Sequence, residues 1–132
     1  MSTGSESPRP ARTTLALPAD RRFRDVPGLV LGGIAARFDL PVDRVDDLLL
    51  AVDSVLMQDV VGDTARIEAD ASKAGLVLRL GPYPSGKLDD LALRRVLTRL
   101  VDTIEEVPID GQHGAWVELT VAAHGREGGG VE

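Results

Sequence analysis

The most informative stretch for predicting the fold reads VDDLLLAVDSVLMQD and covers residues 45–59. Its apolar residues recur every three or four positions, which is typical of a helix with one buried face. We predict a helix over residues 42–60 in which Asp46 and Asp53 point outward and the buried stripe consists of Val45, Leu48, Leu49, Val52, Val55 and Leu56. A further set is aligned along the helix by offsets of four, three and four residues, and it consists of Asp47, Ala51, Ser54 and Gln58.

Strand and helix signals precede and follow this segment. Residues 13–18 predict a first strand, which Pro18 ends. Residues 24–38 predict a helix with Asp25 as its N-cap, since Pro27 is tolerated only in the first turn. Residues 64–70 and 76–80 alternate in polarity around a short turn, which predicts a β-hairpin.

The last third of the chain predicts one more helix and one more hairpin. The helix covers residues 88–104, with Leu93, Leu97, Leu100 and Ile104 facing inward. The hairpin joins residues 106–109 to residues 115–122. The resulting order, β-α-α-β-β-α-β-β, predicts an α+β two-layer sandwich: an antiparallel sheet with three helices on one face. We expect one domain over residues 13–123, between a disordered tail, 1–12, and a flexible Gly-rich tail, 124–132.

Composition narrows the classes of function. The chain has 132 residues, a formal charge of −6 and a pI near 4.9, which disfavours binding to nucleic acid. Its longest apolar run is too short to cross a membrane, and no signal peptide is evident. The absence of cysteine fits a reducing compartment, so we expect a cytoplasmic protein. No cluster of residues with metal-ligand spacing stands out, and we expect no metal site.

The helix over residues 42–60 resembles the second helix of the anti-sigma-factor serine kinases, small bacterial members of the GHKL (Bergerat-fold, histidine kinase-like ATPase) superfamily. That family typically reads D-x-x-E-D-L-x-x-A-V-x-E-A-x-x-N-A here. This chain keeps Asp43, Asp46 to Leu48, and Ala51-Val52. The resemblance implies a GHKL-like fold and a nucleotide pocket lined by the face that carries Asp47, Ala51, Ser54 and Gln58.

The residues that carry the family's chemistry are replaced in this chain. Ser54 stands where the family has its catalytic Glu, and Gln58 stands where it has its magnesium-binding Asn. The adenine-binding Asp should follow Leu80, but the chain reads Gly81-Pro82-Tyr83-Pro84-Ser85-Gly86. Too few residues follow to form an ATP lid. We therefore expect a pseudo-kinase without catalytic residues, with ATP and Mg²⁺ unlikely as cofactors.

By resemblance, the expected function is regulation of transcription through protein–protein binding, with a sigma factor or an anti-sigma antagonist sequestered. A second copy of the chain is another candidate partner. The family's docking region corresponds to residues 23–38, from which we select Arg24, Leu29 and Arg37 as partner-binding residues. The alternative is an ATP-dependent serine/threonine kinase that acts on an anti-sigma-factor antagonist. A third interpretation is a structural or dimerisation module.

The other motifs have simple structural interpretations. Residues 81–87 superficially resemble a phosphate loop, but Ser85-Gly86 is better explained as a cap and turn. His113 and His124 are expected on the surface, and Trp116 is expected in core or sheet packing. The acidic run is expected to be a solvated face or a docking surface for a basic partner, and it consists of Asp39, Asp43, Asp46, Asp47 and Asp53. At Asp59, either the helix frays earlier or a carboxylate is partly buried.

Overall fold

The computed structural model describes residues 11–111 and 113–123. The helices are α1 (Val26–Arg37), α2 (Val42–Leu56) and α3 (Leu91–Leu100). The strands are β1 (Ala11–Pro18), β2 (Thr64–Ser72), β3 (Gly75–Tyr83), β4 (Thr103–Pro108) and β5 (Ala115–Ala122). Short 3-10 turns cover Arg21–Phe23 and Lys87–Asp89.

The five strands form one sheet in the order β1-β2-β3-β5-β4, and every neighbouring pair is antiparallel. Side chains alternate between its two faces, so that Ile67, Leu78 and Leu119 are buried while Arg66 and Asp70 are exposed. The helices cover the apolar face. The predicted α+β two-layer sandwich and its element order are therefore confirmed.

The core is aliphatic and lies between the sheet and the three helices. α2 is the central helix and packs against both α1 and α3. Its stripe is buried at Leu48, Val52 and Val55, and Val45, Leu49 and Leu56 pack partly buried against the same core. Among the described residues, Tyr83 is the largest fully buried side chain. The predicted stripe of α2 is thus confirmed.

The second helix ends four residues earlier than the sequence predicts. α2 stops at Leu56 rather than Val60, and Asp59 is exposed in the connection to β2. In that connection the Val61 N–H donates to the Pro82 carbonyl at 2.7 Å, and Gly62 adopts φ +86°. The helix therefore frays before Asp59, and the alternative of a partly buried carboxylate is wrong.

The third helix is also shorter than predicted, and the strand after it is longer. The Asp90 side chain accepts from the Ala92 and Leu93 N–H groups and so starts α3 at Leu91. The Asp102 N–H donates to the Thr120 carbonyl at 2.9 Å, next to where β4 begins at Thr103. Ile104 consequently lies in β4 and not in α3, where its period had placed it. At the other end of the sheet, β1 begins at Ala11, two residues before the predicted Thr13.

The second face of the sheet is not covered by helices and carries polar side chains. Arg79 pairs with Glu118 at 2.9 Å across β3 and β5. Trp116 is half-buried on this sheet, and a Cβ at Gly81 would lie 3.2 Å from its Cε3 atom. The expected sheet packing of Trp116 is confirmed, because its indole lies against the bare backbone of β3.

Candidate functional site

The predicted pocket face of α2 does not survive as one surface. Asp47 and Ser54 are half-buried, whereas Ala51 is completely buried in the core. The Ser54 hydroxyl donates to the Leu50 carbonyl at 2.9 Å, one turn back in the same helix. Gln58 lies beyond the end of α2, so the predicted alignment of four residues stops at Ser54.

The Gln58 side chain points instead towards Lys87, which begins the short 3-10 helix after β3. Its Oε1 atom lies 3.4 Å from Nζ of Lys87. It also lines a cavity of about 440 Å³ between the end of β1, the start of α1 and the end of α2. Asp47, Ala51 and Ser54 are not among the residues that line that cavity.

Tyr83 fills the space between the end of α2 and the end of β3. The side chain is fully buried, and its hydroxyl donates to the Val55 carbonyl at 2.7 Å. Burial raises the pKa of the Tyr83 phenol, because ionisation would place a charge in an apolar surrounding. The segment after Leu80, where the family has its adenine-binding Asp, therefore supplies the Tyr83 hydrogen bond that joins the sheet to α2.

The turn after Tyr83 is held by an internal carboxylate, that of Glu106. Gly86 adopts φ +90°, and its N–H donates to the two carboxylate oxygens of Glu106 at 2.9 and 3.1 Å. A phosphate group at this point would meet the negative charge of Glu106 in place of a free N–H group. The arrangement agrees with a turn ahead of a short 3-10 helix and disfavours a phosphate loop.

An open groove with several apolar side chains lies between α1 and α2 in the helical layer. It has a volume of about 750 Å³ and is lined by Arg24, Asp25, Pro27, Gly28, Asp46, Leu49, Leu50, Val52, Asp53 and Leu56. Leu50, which lines the groove, is 57% exposed. Met57, the C-cap of α2, is 61% exposed and lines the neighbouring cavity at the end of α2 instead. Such side chains on the solvent side of a helix mark a surface that can bind apolar groups.

The rim of this groove is mainly acidic. Asp25, Asp46 and Asp53 contribute carboxylates, and Arg24 is the one cation in the lining. The Arg24 guanidinium lies 3.6 Å from the Asp53 carboxylate, and both side chains are partly exposed, so the pair is weak and can be exchanged. A ligand with apolar groups flanked by positive charge would complement this rim.

The structure separates the three residues predicted to bind a partner. Arg24 lines the groove, and Leu29 is 78% exposed one residue after the lining residue Gly28. Arg37 lies at the opposite end of α1, with its guanidinium carbon 5.6 Å from the centre of the Phe38 ring. Of the three, only Arg24 therefore lines the groove.

The acidic run divides in the same way. Asp39, Asp43 and Asp46 are exposed, whereas Asp47 and Asp53 are half-buried. Only Asp46 and Asp53 line the groove, so the run is partly a solvated face and partly its rim.

Sequence reasoning did not identify Leu50 and Met57. A signal for Leu50 was present, because it is a leucine outside the apolar stripe of α2 and must therefore face away from the core. Met57 has no comparable signal, since its exposure depends on where α2 ends.

The remaining candidates contribute no site. His113 is exposed in the turn before β5, and His124 lies outside the described residues. Within residues 11–111 and 113–123, no three His, Asp or Glu side chains are grouped so that they could hold a metal ion. In the same part of the chain, no helix is long and apolar enough to span a bilayer.

The chain matches no protein-family model, and no curated protein matches it significantly in sequence.

Proposed function

We propose that this protein is a non-catalytic regulatory protein that binds another protein in the groove between α1 and α2. The observation that carries the proposal is the open apolar lining of this groove, in which Leu50 is exposed. An amphipathic helix is the usual occupant of such a groove, since it can place apolar residues on the lining and charged residues on the rim. The acidic rim favours a helix whose flanks carry Lys or Arg.

The partner we propose is a sigma factor, or the antagonist protein that competes with one. This class follows from the resemblance of residues 42–60 to the anti-sigma-factor kinases. The mechanism is stoichiometric sequestration: binding buries sigma-factor surface that would otherwise engage RNA polymerase, and the protein acts in the cytoplasm.

Nucleotide has no part in this proposal. Tyr83 occupies the space behind α2, and the Ser54 hydroxyl is engaged by the helix backbone. Mg-ATP at 100 times a Kd would stabilise a binding protein by about 2.7 kcal/mol. We therefore expect saturating Mg-ATP to leave the melting temperature unchanged, and a magnesium-dependent rise would support the kinase alternative instead.

The direct test measures binding and transcription together. Purified sigma factors are titrated calorimetrically with the full chain, and sigma-dependent transcription is then assayed with RNA polymerase core. We expect one-to-one inhibition that does not require ATP. If no sigma factor or antagonist binds, the proposed partner class is wrong.

A matched pair of variants tests the groove itself. Leu50→Asp places a charge at the groove and is expected to weaken binding about tenfold or more. Leu91→Asp is the control, because Leu91 is 65% exposed on α3 and lies outside the groove lining. Equal loss of binding in both variants would remove the groove from the proposal.

A further inference from the structure

The outer face of α3 combines exposed apolar side chains with positive charge. Leu91 and Val96 are both exposed, and Arg95 and Arg99 lie between them around the helix. The two arginines are one turn apart and therefore share one side of α3. Among the described residues, neither guanidinium makes a hydrogen bond or an ion pair. Both charges are therefore available to a binding partner.

The groove between α1 and α2 has the matching chemistry. Leu49, Leu50 and Leu56 supply apolar lining, and the rim is mainly acidic. The carboxylates of Asp25 and Asp46 on this rim have no hydrogen-bond or ion-pair partner within the described part of the chain. A helix with exposed apolar side chains and free arginines complements such a groove in both respects.

The groove and the outer face of α3 lie side by side on the same surface of the molecule. α1 packs over β2, α2 over β5 and α3 over β4, so α2 lies between the other two helices. Leu93 and Leu97 are the buried side of α3, and its arginine side consequently faces away from the sheet. Because α3 is fixed beside α2, a chain cannot place its α3 in its own groove, whereas a second copy can.

We propose that two copies of this chain associate through their helical layers, with α3 of each copy seated in the α1–α2 groove of the other. A two-fold axis parallel to α2, and between α2 and α3, makes the two contacts equivalent and closes the dimer. Each contact covers the exposed apolar side chains of one α3 and brings its two arginines to the acidic rim of the second copy.

The packing of α2 against α3 fixes the register of this dimer. The ion pair of Arg44 with Asp102 joins the first turn of α2 to the chain just after α3, so the two helices run antiparallel. Rotation about an axis parallel to the helices keeps each residue at its own height along them. Arg99 therefore lies level with the second copy's Asp46. Val96 lies level with the exposed leucine of the second copy's groove.

The consequence for regulation rests on the proposed function, because the same groove then binds either a second copy or the partner helix. Only the free groove can accept the partner. Self-association should therefore lower the apparent affinity for the partner once the protein concentration exceeds the dimer Kd.

Charge reversal in the full chain tests the pairing. Sedimentation equilibrium of the wild type is expected to show a monomer–dimer equilibrium. Arg99→Glu and Asp46→Arg are each expected to raise the dimer Kd about tenfold or more, because each brings like charges together at both contacts. A mixture of the two variants is expected to form a heterodimer, since one contact then has both charges reversed and the other has neither reversed.

Arg66→Glu is the control with the same change of charge, because Arg66 is exposed on the face of the sheet that the helices do not cover. It should leave the dimer Kd unchanged, and circular dichroism verifies that all three variants are folded. A wild type that stays monomeric at all accessible concentrations would overturn the dimer. So would a mixture that fails to associate or an equal effect of Arg66→Glu. Assemblies larger than a dimer would overturn the two-fold arrangement.

The sigma-factor titration separates this inference from the proposed function. Arg99→Glu should bind the sigma factor at least as tightly as the wild type, because it keeps the groove and loses only the competing copy. Leu50→Asp should weaken both associations, since its side chain lines the groove. If no sigma factor or antagonist binds, the proposed function is wrong, and the sedimentation results still decide the dimer.

Discussion

The Tyr83 hydroxyl and the Val55 carbonyl form a hydrogen bond of 2.7 Å that ties the end of β3 to the last turn of α2. Val55 also accepts from the Gln58 N–H at 3.0 Å, so both contacts are made where helix carbonyls lack intrahelical partners. The contact joins two segments that the sequence assigned to a nucleotide site. Its effect in this fold is to fix the end of α2.

Tyr83→Phe tests the strength of this anchor. The phenylalanine keeps the buried ring, and the Val55 carbonyl keeps the Gln58 N–H, so the loss is one hydrogen bond. We expect the free energy of unfolding to fall by about 1 kcal/mol in urea titrations. Tyr83→Ala should cost about 3–5 kcal/mol, because it also leaves a cavity. Equal losses in the two variants would contradict the separation of packing from hydrogen bonding.

Tyr83 also predicts how stability changes at alkaline pH. Below about pH 10 the phenol is protonated in both the folded and the unfolded chain, so it adds no pH dependence. Burial raises the pKa of Tyr83 in the fold, so above about pH 10 only the unfolded chain releases the proton, and stability falls by up to about 1.4 kcal/mol per pH unit.

Because the chain has one tyrosine, tyrosinate absorbance reports this titration directly. Tyr83→Phe should lack this contribution to the decline in stability. Ionisation of the folded wild type near pH 10 would contradict the prediction.

Arg44 and Asp102 form the most buried ion pair among the described residues. Nη2 of Arg44 lies 2.5 Å from Oδ2 of Asp102, each side chain is 15% exposed, and the same oxygen accepts from the Ala122 N–H at 2.7 Å. Asp102→Ala would remove both contacts and leave the Arg44 charge buried. We expect a loss of about 3 kcal/mol in unfolding free energy.

The exposed pair Arg12–Asp70 is the control for that loss. Its side chains are 66% and 49% exposed. Asp70→Ala should therefore lower the unfolding free energy far less than Asp102→Ala does, because water screens the exposed pair. An Asp102→Ala variant as stable as Asp70→Ala would show that burial does not strengthen the Arg44 pair.

Alanine substitution of the aspartates at the starts of α3 and α1, Asp90 and Asp25, should lower the free energy of unfolding by different amounts. Asp90 accepts from the Ala92 and Leu93 N–H groups at 3.0 and 3.2 Å, whereas Asp25 makes no capping hydrogen bond with its side chain. We expect Asp90→Ala to lower the unfolding free energy by about 1 kcal/mol. Asp25→Ala should cost about 0.5 kcal/mol or less, from the helix dipole alone. Thermal denaturation of both variants under identical conditions compares them, and a larger loss for Asp25→Ala would reverse the assignment.

Alanine substitution at two glycines, Gly75 and Gly33, should change the free energy of unfolding in opposite directions. Gly75 adopts φ +141° after the two-residue turn of the β2–β3 hairpin, and an added Cβ would collide with the Val121 carbonyl oxygen and lie 2.9 Å from the Ala122 Cα. Gly75→Ala should cost about 2 kcal/mol or more, because backbone atoms cannot move aside. Gly33 lies in α1 with open space around its Cα, so Gly33→Ala should stabilise the fold by about 0.5–1 kcal/mol. Chemical denaturation distinguishes the two, and a stable Gly75→Ala would refute the close approach.

The apolar stripe of α2 shows which parts of the candidate site could be predicted from the sequence. Leu48, Val52 and Val55 are buried as predicted, because the helical period fixes which side of α2 is apolar. Ala51 was assigned to a pocket but lies in the core, since a small side chain gives no periodic signal of its own. Arg24 lines the groove, yet the groove exists only because α1 and α2 pack beside each other.

The sequence by itself determined the fold class, the order of the elements and the buried face of the central helix, because these follow from local periodicity and turn chemistry. The tertiary structure alone decided where α2 and α3 end. These ends depend on contacts between residues distant in the chain, such as the Tyr83 hydroxyl with Val55 and the Asp102 N–H with Thr120. It also decided which apolar side chains remain exposed. Exposure of Met57 depends on where α2 ends, and no local pattern encodes that.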